Sequence, residues 1–320
     1  MRVTENSNYE LVKDNVRKSR EKLENLQTQA ATLKKLNHPS EDPVGSSKLL
    51  KLRTDQVNHT QFQLNSKSAQ TFLNSTDHAV TALSEIVLRA KEIALGQASE
   101  ASANDQTRLA VSEEVNQLLL QAIALANQKV GDRYIFSGFK TTSPAVDSLG
   151  SYQGDDGQMM LEVGGGVFVA ANIPGVEVFN TQSRQLQSSL TSYPQSGLAN
   201  SSIELGPQNV NLFDELQNFR ISLIAGDLGG IRDSIDRFDL LHGKLITLRS
   251  RLGSRLQGIE STERSMEKNQ LTQAALVSSI EDADMAQVVS DLNKEEMIFR
   301  SSLASSKKLL QPTLLDFLKS

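Results

Sequence analysis

The stretch NHPSEDPVG, residues 37–45, decides the fold. It is too polar for a core and too short for a domain, yet it separates two long segments of helical periodicity. Pro39 pushes the residue before it toward extended backbone, which stops a helix. Asp42-Pro43 then supplies an N-cap and a first helical residue whose missing N–H costs nothing. The stretch therefore reads as an elbow between two helices.

Upstream, Tyr9, Val12, Val16, Ser19, Leu23, Leu26, Ala30 and Leu33 recur in steps of three and four, a heptad-like seam ending near Leu36. Arg17 with Glu21 and Arg20 with Glu24 are opposite charges one turn apart on its outer face. Downstream, Ala69, Phe72, Thr76, Ala79, Leu83, Ile86, Ala90 and Ile93 mark a second helix from Val44 to Leu95, weakest around Asn58-His59-Thr60. At ~1.5 Å rise per residue such a helix is a rod of roughly 75 Å. GQASEASANDQ (96–106) is a small-polar loop, and Val111, Val115, Leu118, Ala122 and Leu125 line a third helix over 105–130.

Residues 131–205 differ. They hold many of the 19 glycines and short alternating runs such as MMLEV and VFVAANIPGVEVF, which predict β-hairpins. Helical rhythm returns near Leu212. Phe238, Leu241, Leu245, Leu248, Leu252 and Ile259 keep it, with Arg255 at the intervening step. The last segment carries Met285, Val289, Leu292, Phe299, Leu303 and Leu310, with Glu296 and Ser306 at the remaining steps. Glu296 and Arg300 form a further pair one turn apart.

The fold class is mainly α with an inserted β domain. Long N- and C-terminal helices form coiled-coil-like layers and a helical rod. The expected division is 1–40 with 276–320 as a terminal helical assembly domain, 41–135 with 206–275 as the rod, and 136–205 as an outward β-rich domain.

Composition narrows the function. With 38% hydrophobic residues, 5% aromatics and no Trp, the chain suits thin helical layers better than a thick enzyme core. The 33 basic and 38 acidic residues are interleaved to a net charge of -5, which excludes a field able to hold nucleic acid. Without Cys there is no disulfide, thiolate metal site or Cys nucleophile. No apolar run reaches membrane-span length, and MRVTENSNYELVKDNVRKSR lacks the apolar core of a secretory signal. The expectation is a chain that stays inside the cell or leaves by another route.

Reactive constellations are equally sparse. His38, His59, His78 and His242 have no metal-ligand spacing. GDDG (154–157) lacks the alternating ligands of a calcium loop and predicts a hairpin turn. Gly164-Gly165-Gly166 predicts a hairpin link, and Glu113-Glu114 and Asp282 with Asp284 predict solvated faces. Neither catalysis, cofactor nor metal is expected. The apolar stripes at both termini can pair with each other or across subunits, and a contact between subunits that does not close builds a helical polymer.

Four stretches carry a family resemblance. LKKLNHPSEDPVGSSKLLKLR (33–53), ANQKVGDRYIFSGFKTTSPAV (126–146), YQGDDGQMMLEVGGGVFVAANIPGVEVF (152–179) and SSIEDADMAQVVSDLNKEEMIFRSSLASSKKLLQPTLLDFL (278–318) resemble the bacterial flagellin and hook-associated protein family. Asn37, Pro39, Ser40, Asp42 and Pro43 match the family's elbow signature, and Glu41 replaces an Asp. YIFSGFK (134–140) and LLDFL (314–318) are most similar to its junction branch.

The resemblance implies a structural adapter at the hook–filament junction, meeting the first hook-associated protein on the hook side and flagellin on the filament side. It also implies self-association in a ring or helical layer and no membrane or nucleic-acid partner. Export through the flagellar type III apparatus, with a cytosolic chaperone covering roughly Ile280 to Leu318, is implied as well. The alternatives are filament flagellin, or a non-polymerising helical tip protein of a secretion apparatus. The assembly interface would be Tyr9, Val12, Val16, Leu23, Leu26, Leu33, Met285, Val289, Leu292, Phe299, Leu303 and Leu310. The elbow would be Asn37, Pro39, Ser40, Asp42 and Pro43.

Overall fold

A computed structural model describes residues 2–98, 105–181 and 210–310, with the side chains of residues 2–9, 105 and 307–310 outside that description. The elements run α1 (Arg2–Thr32), α2 (Pro43–Gln97), α3 (Asp105–Ala126), β1 (Lys129–Val130), β2 (Arg133–Tyr134), β3 (Met160–Gly164), β4 (Val167–Ala170), α4 (Gly175–Phe179), α5 (Leu212–Ala225), α6 (Leu228–Glu281) and α7 (Met285–Leu310). The order is mainly α around a β-containing insert, as the periodicities predict. The chain divides into two compact units, Thr60–Met266 and Met1–His59 with Glu267–Ser320.

The unit Thr60–Met266 holds the larger core. The seam read on α2 is buried at Ala69, Thr76, Ala79, Leu83, Ile86, Ala90 and Ile93, and that on α6 at Phe238, Leu241, Leu245, Leu248, Leu252 and Ile259. Burying each large side chain contributes roughly 1.5–3 kcal/mol. Helix α5 packs against α3. Asn211 caps α5 by accepting from the Phe213 and Asp214 amides, and Gly226 ends it at φ 68°, where a side chain would be strained. The α2 helix continues through Asn58-His59-Thr60, where the sequence is weakest.

Among the described residues the insert carries the antiparallel hairpin β3–β4, and a second hairpin, β1–β2, lies just before it. The Gly164–Gly166 stretch does link β3 to β4, with Gly166 at φ 76°. VFVA is strand, but GVEVF is the short helix α4, begun at Pro174 with φ −66°. Its Phe179 is buried between Phe136 and Phe213, ring centroids 5.4 and 5.0 Å away. That packing overrides a period-two pattern only a few residues long.

GDDG is not a hairpin turn either. Asp155 Oδ1 accepts from the Phe139 amide at 2.6 Å and the Gly157 amide at 3.0 Å, pinning two irregular segments together. Arg255, the charge in the α6 seam, donates to the Asn172 carbonyl at 3.3 Å and so ties the insert to the helix. Glu114 and Glu113 keep much of their side chains in water, as expected, and also pair with Arg89 (2.7 Å) and Arg220 (3.9 Å).

In the unit Met1–His59 with Glu267–Ser320, α1 packs against α7. The helix α1 ends at Thr32, earlier than the sequence suggests, because Leu33 turns left-handed at φ 60°. A bulky residue there costs about 1–2 kcal/mol. The pairs Arg17–Glu21, Arg20–Glu24 and Arg300–Glu296 form at 3.9, 3.1 and 2.7 Å, all exposed and individually weak.

Candidate functional site

The elbow is built from its own side chains. Asp42 Oδ1 accepts from the Val44 amide at 3.1 Å and the Gly45 amide at 2.9 Å, so the N-cap read from Asp-Pro is formed. Glu41 reaches back to the Asn37 and His38 amides, at 3.0 and 3.3 Å. The Thr32 hydroxyl donates to Asn37 Oδ1 at 2.8 Å, and Asn37 Nδ2 donates to the Lys34 carbonyl at 3.2 Å. Pro39 and Ser40 form the exposed tip. Gly45 is buried, and a Cβ there would lie 2.3 Å from Asp42 Oδ2, so the cap needs glycine at this position.

A second elbow, between α6 and α7, faces the first. Ala283 N–H donates to the Leu33 carbonyl at 3.1 Å, and Lys35 N–H to the Glu281 carbonyl at 2.7 Å. Asp284 Oδ1 accepts from the Ala286 amide at 2.9 Å and caps α7. Asp282 pairs with Lys34 in a β-bridge and accepts from the Ser278 hydroxyl. The two aspartates are exposed, as the sequence reading has them, and each also holds a local hydrogen bond.

Between the elbows lies Glu281, 5% exposed. Its Oε1 is 2.5 Å from Lys34 Nζ and 2.6 Å from Arg53 Nη2. The hydrogen bond from Lys34, with a further one from Arg53, holds this carboxyl below the usual carboxylate range against the opposing effect of burial. One carboxylate thereby ties the loop after α1, the first turns of α2 and the last residue of α6.

Beyond the elbows α1 and α7 run antiparallel. Val12, Val16, Leu23 and Leu26 are half-buried on α1, with Ser19 buried between them. The Ser19 hydroxyl donates to Glu295 Oε1 at 2.8 Å. On α7, Val288 is buried, while Met285, Leu292, Glu295 and Phe299 are half-buried. The α7 face turned inward is thus rotated from the row read in the sequence. Val289 and Leu303 remain 49% and 46% exposed, as do Leu33, Met297 and Ile298 to comparable or greater degree. The side chains of Tyr9 and Leu310 lie outside the described residues.

This arrangement positions helices. Among the described residues no group of three His, Cys, Asp or Glu side chains could hold a metal ion. His242 Nδ1 shares a hydrogen bond with the Ser84 hydroxyl at 3.0 Å inside the helical core. No described helix is long and apolar enough to cross a membrane. The Glu281 clasp was missed in the sequence reading. Its local signal is a lone Glu before Asp-Ala-Asp, and its partners lie far away along the chain.

Residues 3–141 match the bacterial flagellin N-terminal helical region. The chain is 25% identical over 186 residues to flagellar hook-associated protein 3 of Salmonella typhimurium, an alignment spanning 57% of each chain. It is 22% identical to the Escherichia coli protein of the same name over 86% of both chains. Against a flagellin of Listeria innocua the identity is 20%, over 90% of this chain and 88% of the other. The solved flagellar hook-associated protein-3 of Legionella pneumophila shares the fold, with a TM-score of 0.59 and 18% identity over 72% of this chain and 98% of that one.

Proposed function

We propose that this chain is a member of the bacterial flagellin and hook-associated protein family and is the structural adapter at the hook–filament junction of the flagellum. It joins the first hook-associated protein to flagellin and performs no catalysis. The observation that carries this reading is the apolar surface left on the paired terminal helices. With α1 and α7 already packed together, Val289, Met297, Ile298 and Leu303 are still exposed on α7. Uncovered apolar side chains of this kind serve as contacts for further helices.

The division of labour follows. Residues 1–40 and 276–320 form the assembly layer, 41–135 and 206–275 the rod, and 136–205 the outward part. The twelve stripe residues supply contacts within α1–α7 and between copies. Asn37, Pro39, Ser40, Asp42 and Pro43 join the assembly layer to the rod. The chain reaches the flagellum, outside the cell, through the type III export route without a cleaved signal. A chaperone covers the exposed face of α7 until export, because an amphipathic helix with an uncovered face aggregates.

Electron microscopy of a deletion strain tests the junction assignment. Intact hooks without filaments, with flagellin released into the medium, are expected; filaments that still grow overturn it. The flagellin reading is favoured by the Listeria alignment, and it predicts labelling along the whole filament by an antibody to this chain. The junction reading predicts labelling at the hook boundary alone.

A further inference from the structure

An open groove of about 870 Å³ lies between the loop after α1 and the first turns of α2. Leu36, Pro39, Pro43, Leu49 and Leu50 form its apolar wall, and Lys34, Arg53 and Glu281 meet at one place in its lining. An apolar cleft with a few convergent charged groups is the common form of a small-molecule site. At the charged place Lys34 Nζ and Arg53 Nη2 approach the same Glu281 oxygen, so two cations share one carboxylate. Together an ammonium and a guanidinium offer more N–H donors than one carboxylate oxygen takes. Both side chains keep about half their surface in water, so the remaining donors are reachable. Glu41 and Asp42, the elbow's other carboxylates, are turned to its own amides at Asn37, His38, Val44 and Gly45. The groove is therefore one anion short beside an apolar wall.

The backbone around the groove disfavours a peptide as the occupant. The Asn37 and His38 amides already donate to Glu41, and Pro39 and Pro43 carry no N–H. An extended segment laid here would leave its own buried amides and carbonyls short of partners, at a cost of about 1–3 kcal/mol each. A hydrocarbon chain has no such groups to satisfy. We propose that the groove binds a free medium-chain fatty acid, its carboxylate on Lys34 and Arg53 and its alkyl chain along Leu36, Leu49 and Leu50. The bound acid brings the clasp to two cations and two carboxylates. It adds to the hold of Glu281 by tying the loop after α1 to the first turns of α2 a second time. Such a site needs no second chain, so it is measured on the protein alone and does not depend on the junction assignment.

The experiment is a fluorescence titration of a dansyl-labelled undecanoic acid with the full-length chain, followed by displacement with decanoate. Saturable binding and displacement by decanoate are expected. Decanol, which has the same chain without the carboxylate, should displace about ten-fold more weakly, the loss typical of one charge-assisted contact. Arg53→Gln should weaken binding of the probe by a similar factor. Leu50→Glu should weaken it at least as much, and Leu50 is 69% exposed, so the fold tolerates the change. Ser47→Glu, also in the groove lining and exposed, gives an independent variant that leaves the clasp intact. Leu303→Glu should leave binding unchanged, which separates the groove from the exposed apolar edge of α7. Absence of saturable binding, decanol as effective as decanoate, or affinity indifferent to both Leu50→Glu and Ser47→Glu overturns the proposal. So does stronger displacement by an acetylated, amidated peptide with one Asp among leucines, since that would assign the groove to a protein segment.

Discussion

Arg53, on the second helix, holds Glu281, the last residue of the sixth, at 2.6 Å across 228 positions of sequence. The carboxylate is buried while Arg53 and Lys34 keep about half their side chains in water. Removing the carboxylate therefore leaves no buried unpaired charge, and the cost stays below that of a fully buried pair. Glu281→Gln should loosen the paired elbows by about 1–2 kcal/mol. Hydrogen exchange at the Lys35 and Ala283 amides, which bridge the two elbows, should accelerate about ten-fold. Unchanged exchange at both amides would remove the clasp from the account.

The same group sets an acid limit. Lys34 and Arg53 depress the Glu281 pKa below its ordinary 4.5. A carboxylate depressed in the folded state contributes its full stability above the unfolded pKa, and loses it as pH falls through the folded value. Protection of the Lys35 and Ala283 amides should therefore be flat from pH 7 to about 5 and decline below about 4.5. With Glu281→Gln the profile over that acid range should flatten.

How far the sequence carried this structure depends on distance along the chain. The α2 and α6 seams were readable because a helix face repeats every three to four residues, and Asp42-Pro43 was readable because a cap acts on its own next turn. The clasp was not, since nothing local to Glu281 names Lys34 or Arg53. Which face of α7 turns toward α1 is not legible in the sequence for a related reason. An apolar count favours Val289 and Leu303, but the row turned toward α1 includes Glu295, which has Ser19 as a partner on α1. GVEVF misled in the opposite way, by showing a local alternation that tertiary packing around Phe179 overrules.

Asp155 gives a second correction with a measurable size. A residue in a solvated turn would tolerate alanine, but this one accepts two backbone N–H groups. Its own carbonyl receives the Tyr152 hydroxyl at 2.7 Å. Asp155→Ala should cost about 1–3 kcal/mol, and Asp155→Asn, which keeps an acceptor oxygen, less. Thermal unfolding followed by near-ultraviolet signals of Tyr152 and its neighbouring phenylalanines separates these from a silent substitution.

Lys244 works against the stability of the unit that holds it. Its Nζ is buried without a hydrogen-bond partner, and burial lowers its pKa to about 8 despite the attraction of Glu177. Between pH 8 and the unfolded value of 10.5 the unfolded chain holds more protons, so stability should rise across that window. Lys244→Met removes the penalty at neutral pH. After discounting for partial exposure, the gain should be about 1 kcal/mol, or a few degrees in Tm. A lower Tm for this variant would mean that the ammonium has a partner in solution.

The buried row of α7 and its exposed edge separate assembly from folding. Phe299 is half-buried on the side that packs against α1, and Leu303, one turn further on, is 46% exposed. Phe299→Glu places a charge in the seam and should cost about 2 kcal/mol of helix pairing. It should appear as a loss of far-ultraviolet helical signal and earlier cleavage of both chain ends by protease. Leu303→Glu should leave helical signal and protease pattern within about 0.5 kcal/mol of the natural chain, because the side chain already meets water. Yet it should abolish incorporation into flagella if, as proposed, a neighbouring helix covers this position in the assembly. Normal incorporation of Leu303→Glu would return this face of α7 to solvent and leave the seam as the only use of the terminal stripes.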